Sequence, residues 1–235
     1  MKAGPRQFTG EQMQILRESH LFDSMTDSDI EAIVKLCVTR RDVARREVLF
    51  REYDTADRFW IVLDGKLESY RFSNALDRDN FVFPYSKGEF IGLEFWASHL
   101  QKSALVVVSV YPCILAEIKL PPLPADTLPD GAVWHITNNS KMILGDECVR
   151  RQRQIGVMGV GSVRDRLLAF LDYMRDKTGS DAFHIKMNQQ QLASYFGIAR
   201  PSLTTVLRQL RKENLIDFEG DYYTVKTNPA EADNS

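Results

Sequence analysis

The stretch NQQQLASYFGIARPSLTTVLRQLRKENLIDFEGDYYTV, Asn188 to Val225, decides how this chain is read. Asn188 precedes Gln191 by three residues, the spacing of a reciprocal capping box, and so opens a short helix. Leu192, Ala193 and Phe196 make that helix's apolar face, and Gly197 stops it. Pro201 falls in the first turn of the next helix, where an amide has no intrahelical partner to lose. Leu203, Val206, Leu207 and Leu210 then stand at i, i+3, i+4 and i+7, one buried stripe. The other side offers Arg200, Ser202, Thr204, Thr205, Arg208, Arg211 and Lys212, with no carboxylate before Glu213. Cations and hydroxyls are what phosphates and base edges require. Ala193, four residues before Gly197, is small enough for two helices to cross closely. Leu215–Phe218 and Tyr222–Val225, joined through Glu219-Gly220-Asp221, predict a β-hairpin that serves as a wing. The spacing therefore predicts a winged helix-turn-helix.

Upstream the texture differs. Ile30, Ile33, Val34 and Cys37 recur at helical spacing and predict a first helix over Thr26–Val38, capped by Thr26 or Ser28. From about Val43 to Leu120 come short β-rich runs: Glu47–Phe50, Phe59–Leu63, Leu67–Phe72, Phe81–Pro84, Leu105–Val110 and Ile114–Ile118. Asp64-Gly65, Asn74, Lys87-Gly88 and Tyr111-Pro112 separate them, the pattern of an antiparallel sandwich or barrel. The proline-rich Leu120–Gly131 reads as a connector. Gly131 to Ile155 then predicts one long helix, ended by Gly156, Gly159 and Gly161, and Val163–Lys177 a second. Asn228–Ser235 reads as a tail.

The charge distribution agrees with this division. Residues 1–140 carry 16 Lys and Arg against 20 Asp and Glu, whereas residues 141–226 carry 14 against 10. A basic second half beside an acidic first half suits a nucleic-acid-binding module fused to a partner domain. No run is apolar enough to span a membrane, and MKAGPRQFTGEQ has no signal-peptide core, so a cytoplasmic location is expected. Cys37, Cys113 and Cys148 are scattered and odd in number, which argues against a disulfide framework or a zinc site. No P-loop, GxSxG or HExxH motif occurs, so neither catalytic residues nor metal ligands are expected.

The whole pattern resembles the Crp/Fnr superfamily, bacterial transcription regulators related to the cyclic-AMP receptor protein. LFDSMTDSDIEAI is similar to the opening of the family's sensor domain, LFREYDTADRFWIVLDGKLE to its β-roll, and KGEFIGLEFW to its effector loop. The long helix resembles its dimer interface, and QQLASYFGIARPSLTTVLRQLRKENLI its DNA reader. The resemblance implies an α+β fold in three parts. Residues 15–125 would form an antiparallel β-roll (a double-stranded β-helix or jelly roll, cyclic-nucleotide-binding-like), 130–156 the dimerisation helix, and 157–227 the winged helix-turn-helix. It further implies a palindromic DNA operator, a second copy of the chain and RNA polymerase as partners, with no membrane.

Carried over residue by residue, the DNA-binding positions are Gln189, Gln190, Arg200, Ser202, Thr204, Thr205 and Arg208. Arg200 takes the place of the family's guanine-reading arginine. Pro201 stands where a base-reading glutamate is common and Thr205 where a second arginine is common, so the operator should depart from the family consensus. For the effector, Gly88 and Glu89 take the positions of a ribose-binding pair, Lys102 and Ser103 those of a phosphate-binding Arg-Ser pair, and Val149 and Arg150 those of base-contacting hydroxyls. Lysine lacks arginine's bidentate fork, so the expected effector is a small organic anion other than cyclic AMP. Three scattered cysteines cannot ligate a family-type iron–sulfur cluster. The alternatives are a thiol-redox regulator of the same fold acting through Cys113 or Cys148, a non-DNA-binding adaptor, or a cupin-like enzyme. In the long helix, Met142 and Val149 mark one seam position, with Asn139, Asp146 and Arg153 expected at the alternate one.

Overall fold

In the computed structural model, which describes residues 8–73, 78–120, 131–159 and 161–226, Thr26 and Asp29 close a capping box at the head of the first long helix. That helix, α2 (Asp27–Cys37), follows a shorter one, α1 (Gly10–Arg17), which Thr9 and Gln12 cap in the same way. Thr26 is thus the cap rather than a helical residue. Val38, expected to end the helix, instead begins strand β1 (Val38–Val43). The strands β2 (Val48–Phe50), β3 (Phe59–Asp64), β4 (Leu67–Ser73), β5 (Arg78–Tyr85) and β6 (Phe90–Ile91) follow. A one-turn helix, α3 (Leu93–Trp96), then precedes β7 (Val106–Ser109) and β8 (Cys113–Ile118).

These eight strands form two antiparallel sheets, ordered β1-β8-β3-β6 and β2-β7-β4-β5. The first sheet is covered on both faces. Phe59, Ile61 and Leu63 of β3 pack with Leu16, Leu21 and Ile33 from the helical side. Trp60 and Val62, pointing the other way, pack with Phe50, Leu67, Val107 and Leu115 inside the roll. Double coverage is why β3 reads as an uninterrupted apolar run instead of an alternating one. Gly65 turns β3 into β4 at φ +92°, and a Cβ there would stand 2.6 Å from the Cys113 Sγ, so only glycine fits.

The long helix, α4, runs from Ala132 to Gly159, past Gly156. An isolated glycine costs about 1 kcal/mol of helix propensity relative to alanine, which is too little to stop a long helix. The expected end at Ile155 is corrected accordingly. The chain forms two compact units that divide within α4, between Cys148 and Val149. In the first, Ala132 and Ile136 of α4 join the core around α2. Asn139 is buried and donates from Nδ2 to the carbonyls of Leu21 (3.0 Å) and Asp23 (2.9 Å). It therefore anchors α4 to its own unit, which overturns its expected place on a dimer seam. Trp134, Met142 and Val149 are 64, 58 and 50 % exposed and fall on one stripe of the opposite face, with Gly145 between them.

In the second unit Ser162 and Asp165 cap α5 (Val163–Thr178). Strand β9 (Ala182–His184), helices α6 (Gln189–Tyr195) and α7 (Arg200–Lys212), and strands β10 (Ile216–Glu219) and β11 (Tyr222–Val225) complete it. The hairpin recruits β9 as a third strand, in the order β10-β11-β9. Leu167, Phe170 and Leu171 of α5 share one core with Leu192, Ala193, Leu203, Leu207 and Tyr223. No helix among the described residues is long and apolar enough to cross a membrane. The Leu120–Gly131 connector (apart from its two end residues), the Asn74 turn and the Asn228–Ser235 tail lie outside the described residues.

Candidate nucleic-acid interface

Asn188 caps α6 as the spacing predicts: its Oδ1 accepts from the Gln191 amide, and Gln191 Oε1 accepts from the Asn188 amide, both at 2.9 Å. The helix ends in two backbone hydrogen bonds, Gly197 N–H to Ser194 O and Ile198 N–H to Ala193 O, each 3.0 Å. This paired closure needs a left-handed residue at its hinge, and Gly197 supplies it at φ +66°. A Cβ at Gly197 would meet nothing within 4 Å among the described residues, so the requirement is torsional and not one of space. Ala193 is fully buried at the helix crossing.

After the turn, α7 buries Leu203, Leu207 and Leu210 and half-buries Val206. Arg200, Ser202, Thr205 and Arg208 are exposed, as is Gln190, while Gln189 and Thr204 are partly covered. The guanidinium groups of Arg200 and Arg208 make no ion pair among the described residues. An exposed arginine without a carboxylate partner keeps its full set of donors for a phosphate or a guanine. The two threonines differ from the sequence expectation. Thr204 donates its hydroxyl proton to the Arg200 carbonyl and Thr205 donates to that of Pro201, each at 3.0 Å. In this state both hydroxyls offer only lone pairs, which suit an amino group on a base and not a phosphate oxygen.

Arg211 also departs from its expected place on the reading face. Its NH2 donates to Asp217 Oδ1 (2.8 Å) and to the Phe218 carbonyl, and its guanidinium lies 3.9 Å from the centre of the Phe218 ring. At the same end of α7, Glu213 accepts an ion pair from Arg164 of α5 at 2.7 Å. Nothing in the sequence announced either link, because the partners of Arg211 lie six and seven residues away, that of Glu213 lies 49 away, and all belong to different elements.

The expected effector residues are engaged locally. Gly88 is exposed at φ +84°. The Glu89 carboxylate accepts from the Ser86 amide (2.6 Å) and hydroxyl (3.0 Å), closing its own turn. Ser103 is buried, and its hydroxyl donates to the Leu105 carbonyl at 2.7 Å. The Lys102 ammonium donates to Thr55 Oγ1 at 2.9 Å. Val149 is exposed on α4, whereas the side chain of Arg150 lies outside the described residues. Beside Thr55 opens a cleft of roughly 290 Å³ lined by Arg41, Phe50, Asp54, Asp57, Arg58 and Trp60. Burial pushes the thiols of Cys37 and Cys113 up, away from the reactive thiolate, while Cys148 is exposed. Among the described residues no cluster of His, Cys, Asp and Glu is placed to hold a metal ion.

Comparison with known proteins bears on both units. Residues 165–229 match the family described as the Crp-like helix-turn-helix domain. The "Probable transcriptional regulator flp" of Lacticaseibacillus casei is 26 % identical over 204 residues, covering 85 % of this chain and 88 % of the relative. An anaerobic regulatory protein of Haemophilus influenzae is 17 % identical over 86 % of this chain and 78 % of its own length. Among solved structures, the c-di-GMP responsive global regulator CLP of Xanthomonas campestris superimposes with a TM-score of 0.67 at 20 % identity. The alignment covers 86 % of this chain and all of that one. FixK2 from Bradyrhizobium japonicum follows at 0.62 and 16 %, over 85 and 97 % of the two chains. Residues 165–229 thus form a Crp-like helix-turn-helix domain, and over most of its length the chain is similar to bacterial transcriptional regulators and shares the fold of CLP and FixK2.

Proposed function

We propose that the protein acts as a homodimer that binds a palindromic operator in the cytoplasm, with Arg200 reading a guanine and Arg208 holding a phosphate. One observation carries this reading: both arginines are exposed on α7, outside any ion pair among the described residues, on a face without carboxylates up to Lys212. Gln189, Gln190, Ser202, Thr204 and Thr205 flank them. The exposed stripe of Trp134, Met142 and Val149 on α4 supports pairing with a second copy, since the other face of the helix is committed to its own unit. Gly145, where an added Cβ would meet nothing within 4 Å among the described residues, leaves room for a second backbone to approach.

The β-roll takes a small organic anion on this reading, and RNA polymerase is the downstream partner. Glu89 and Ser103 are turned into their own loops, which argues against a cyclic nucleotide held in the family manner. Lys102 holds a cation against Thr55, which lines the cleft. Any such ligand regulates only through different affinities for two arrangements of the dimer.

Selection from a randomised DNA pool, followed by fluorescence anisotropy with wild type and Arg200→Ala, tests the reader. A palindrome enriched by wild type and lost by Arg200→Ala is expected. No enrichment under any condition would leave the adaptor reading in its place. Titration calorimetry against a metabolite panel tests the effector, and a protein that binds DNA but no metabolite would sink that part.

A further inference from the structure

We propose that Arg211 is a positioning residue: it fastens the hairpin of β10 and β11 to the end of α7 and makes no contact with the DNA backbone. The proposal rests on the DNA-reading assignment of α7 and deepens it.

Three contacts occupy the Arg211 guanidinium. It is paired with Asp217 at 2.8 Å, donates to the Phe218 carbonyl, and stacks 3.9 Å from the Phe218 ring centre. Phe218 in turn stacks on its cross-strand partner Tyr223, with centroids 5.7 Å apart and planes inclined at 21°. Tyr223 is fully buried in the core that also holds Leu207 and Leu210. One column therefore runs from α7 through β10 into β11 and back to the core beneath α7. The hairpin itself is poorly suited to touch a phosphate. Ile216–Val225 carries Asp217, Glu219 and Asp221 and neither Lys nor Arg. Two cations stand beside it: Arg211, which Asp217 already neutralises, and Lys226, whose ammonium donates to Asn214 Oδ1 at 2.8 Å and also bears on Asp217. A wing with this charge serves DNA binding by fixing the angle of the recognition helix. Lysine could not substitute, because a compact ammonium offers neither the planar stack nor the fork.

The experiment is anisotropy over a salt series on the selected operator, using wild type, Arg211→Lys, Arg211→Ala and Phe218→Leu. Circular dichroism and urea unfolding confirm that each variant is folded. If Arg211→Ala does not fold, Arg211→Lys and Phe218→Leu carry the test alone. A positioning role predicts that all three variants lose affinity about tenfold, with the slope of log K against log salt unchanged. A phosphate contact predicts the opposite pattern. Arg211→Lys would bind like wild type, Phe218→Leu would be silent, and Arg211→Ala would lower the slope by about 0.9. That result overturns the proposal while leaving the DNA reader intact. Wild type that binds no DNA at all overturns the reader, and the proposal with it.

Discussion

Arg200 and Arg208 stand eight residues apart on one exposed face, yet their expected contributions differ. A bidentate arginine–guanine pair discriminates by about 1–3 kcal/mol, so Arg200→Ala should weaken operator binding by that amount and relax specificity at one base pair. Arg208→Ala should weaken operator and random DNA alike and lower the salt slope by about 0.9. Anisotropy on both DNAs separates the two outcomes. Gly197 offers a cleaner case of local physics. With φ at +66° and open space around the missing Cβ, Gly197→Ala meets no clash and bears only the left-handed backbone cost, about 1–2 kcal/mol. Urea unfolding should show that loss, and a change well below 0.5 kcal/mol would mean the turn relaxes. The Gly197 turn and the exposure of Arg200 and Arg208 were legible in the sequence, because capping, a turn glycine and helical periodicity are local. The orientations of the Thr204 and Thr205 hydroxyls were not, since each depends on a rotamer that returns the proton to the backbone four residues earlier.

Among the elements, α4 carries two opposed faces; Met142 and Val149 lie exposed on one, as the heptad spacing suggests, whereas Asn139 falls on the other. Ala132, Ile136 and Asn139 face their own unit, while Trp134, Met142 and Val149 face outward. The double variant Met142→Glu with Val149→Glu is expected to yield monomers in mass photometry, with the unfolding midpoint of the β-roll unit held, because neither side chain belongs to its core. Dimers that persist would place the interface elsewhere. Asn139 misled the sequence reading because a polar residue at a seam spacing looks like a seam residue. Only the carbonyls of Leu21 and Asp23, more than 115 residues away, explain why an amide is buried there. Strand β9 was missed for another reason: three residues are too few to establish an alternating period, and β11 alone decides that they pair.

At the scale of the molecule, ionisation bounds stability on both sides. Arg58 and then Lys119 hold the Asp57 carboxyl well below the usual carboxylate range, and Arg211 lowers Asp217 in the other unit. A carboxylate with a depressed native pKa stabilises above its unfolded value near 4 and ceases to as pH falls through the native value. Stability should therefore decline below about pH 4. Burial raises the Tyr223 phenol from near 10 to about 12, so the neutral ring favours the native state below pH 10, and that advantage disappears between about pH 10 and 12. Urea midpoints against pH should show the alkaline decline in wild type and a weaker one in Tyr223→Phe. By itself the sequence determined the helix-turn-helix, the hairpin, the run of antiparallel strands and the long helix, because each is written in spacing over a few neighbouring residues. The tertiary structure alone decided that Asn139 is buried against its own unit, that β3 is covered on both sides, and that Arg211 packs against Asp217 and Phe218 of the hairpin. Those outcomes depend on partners distant in the chain, and a buried or paired side chain is defined by what folding brings to it.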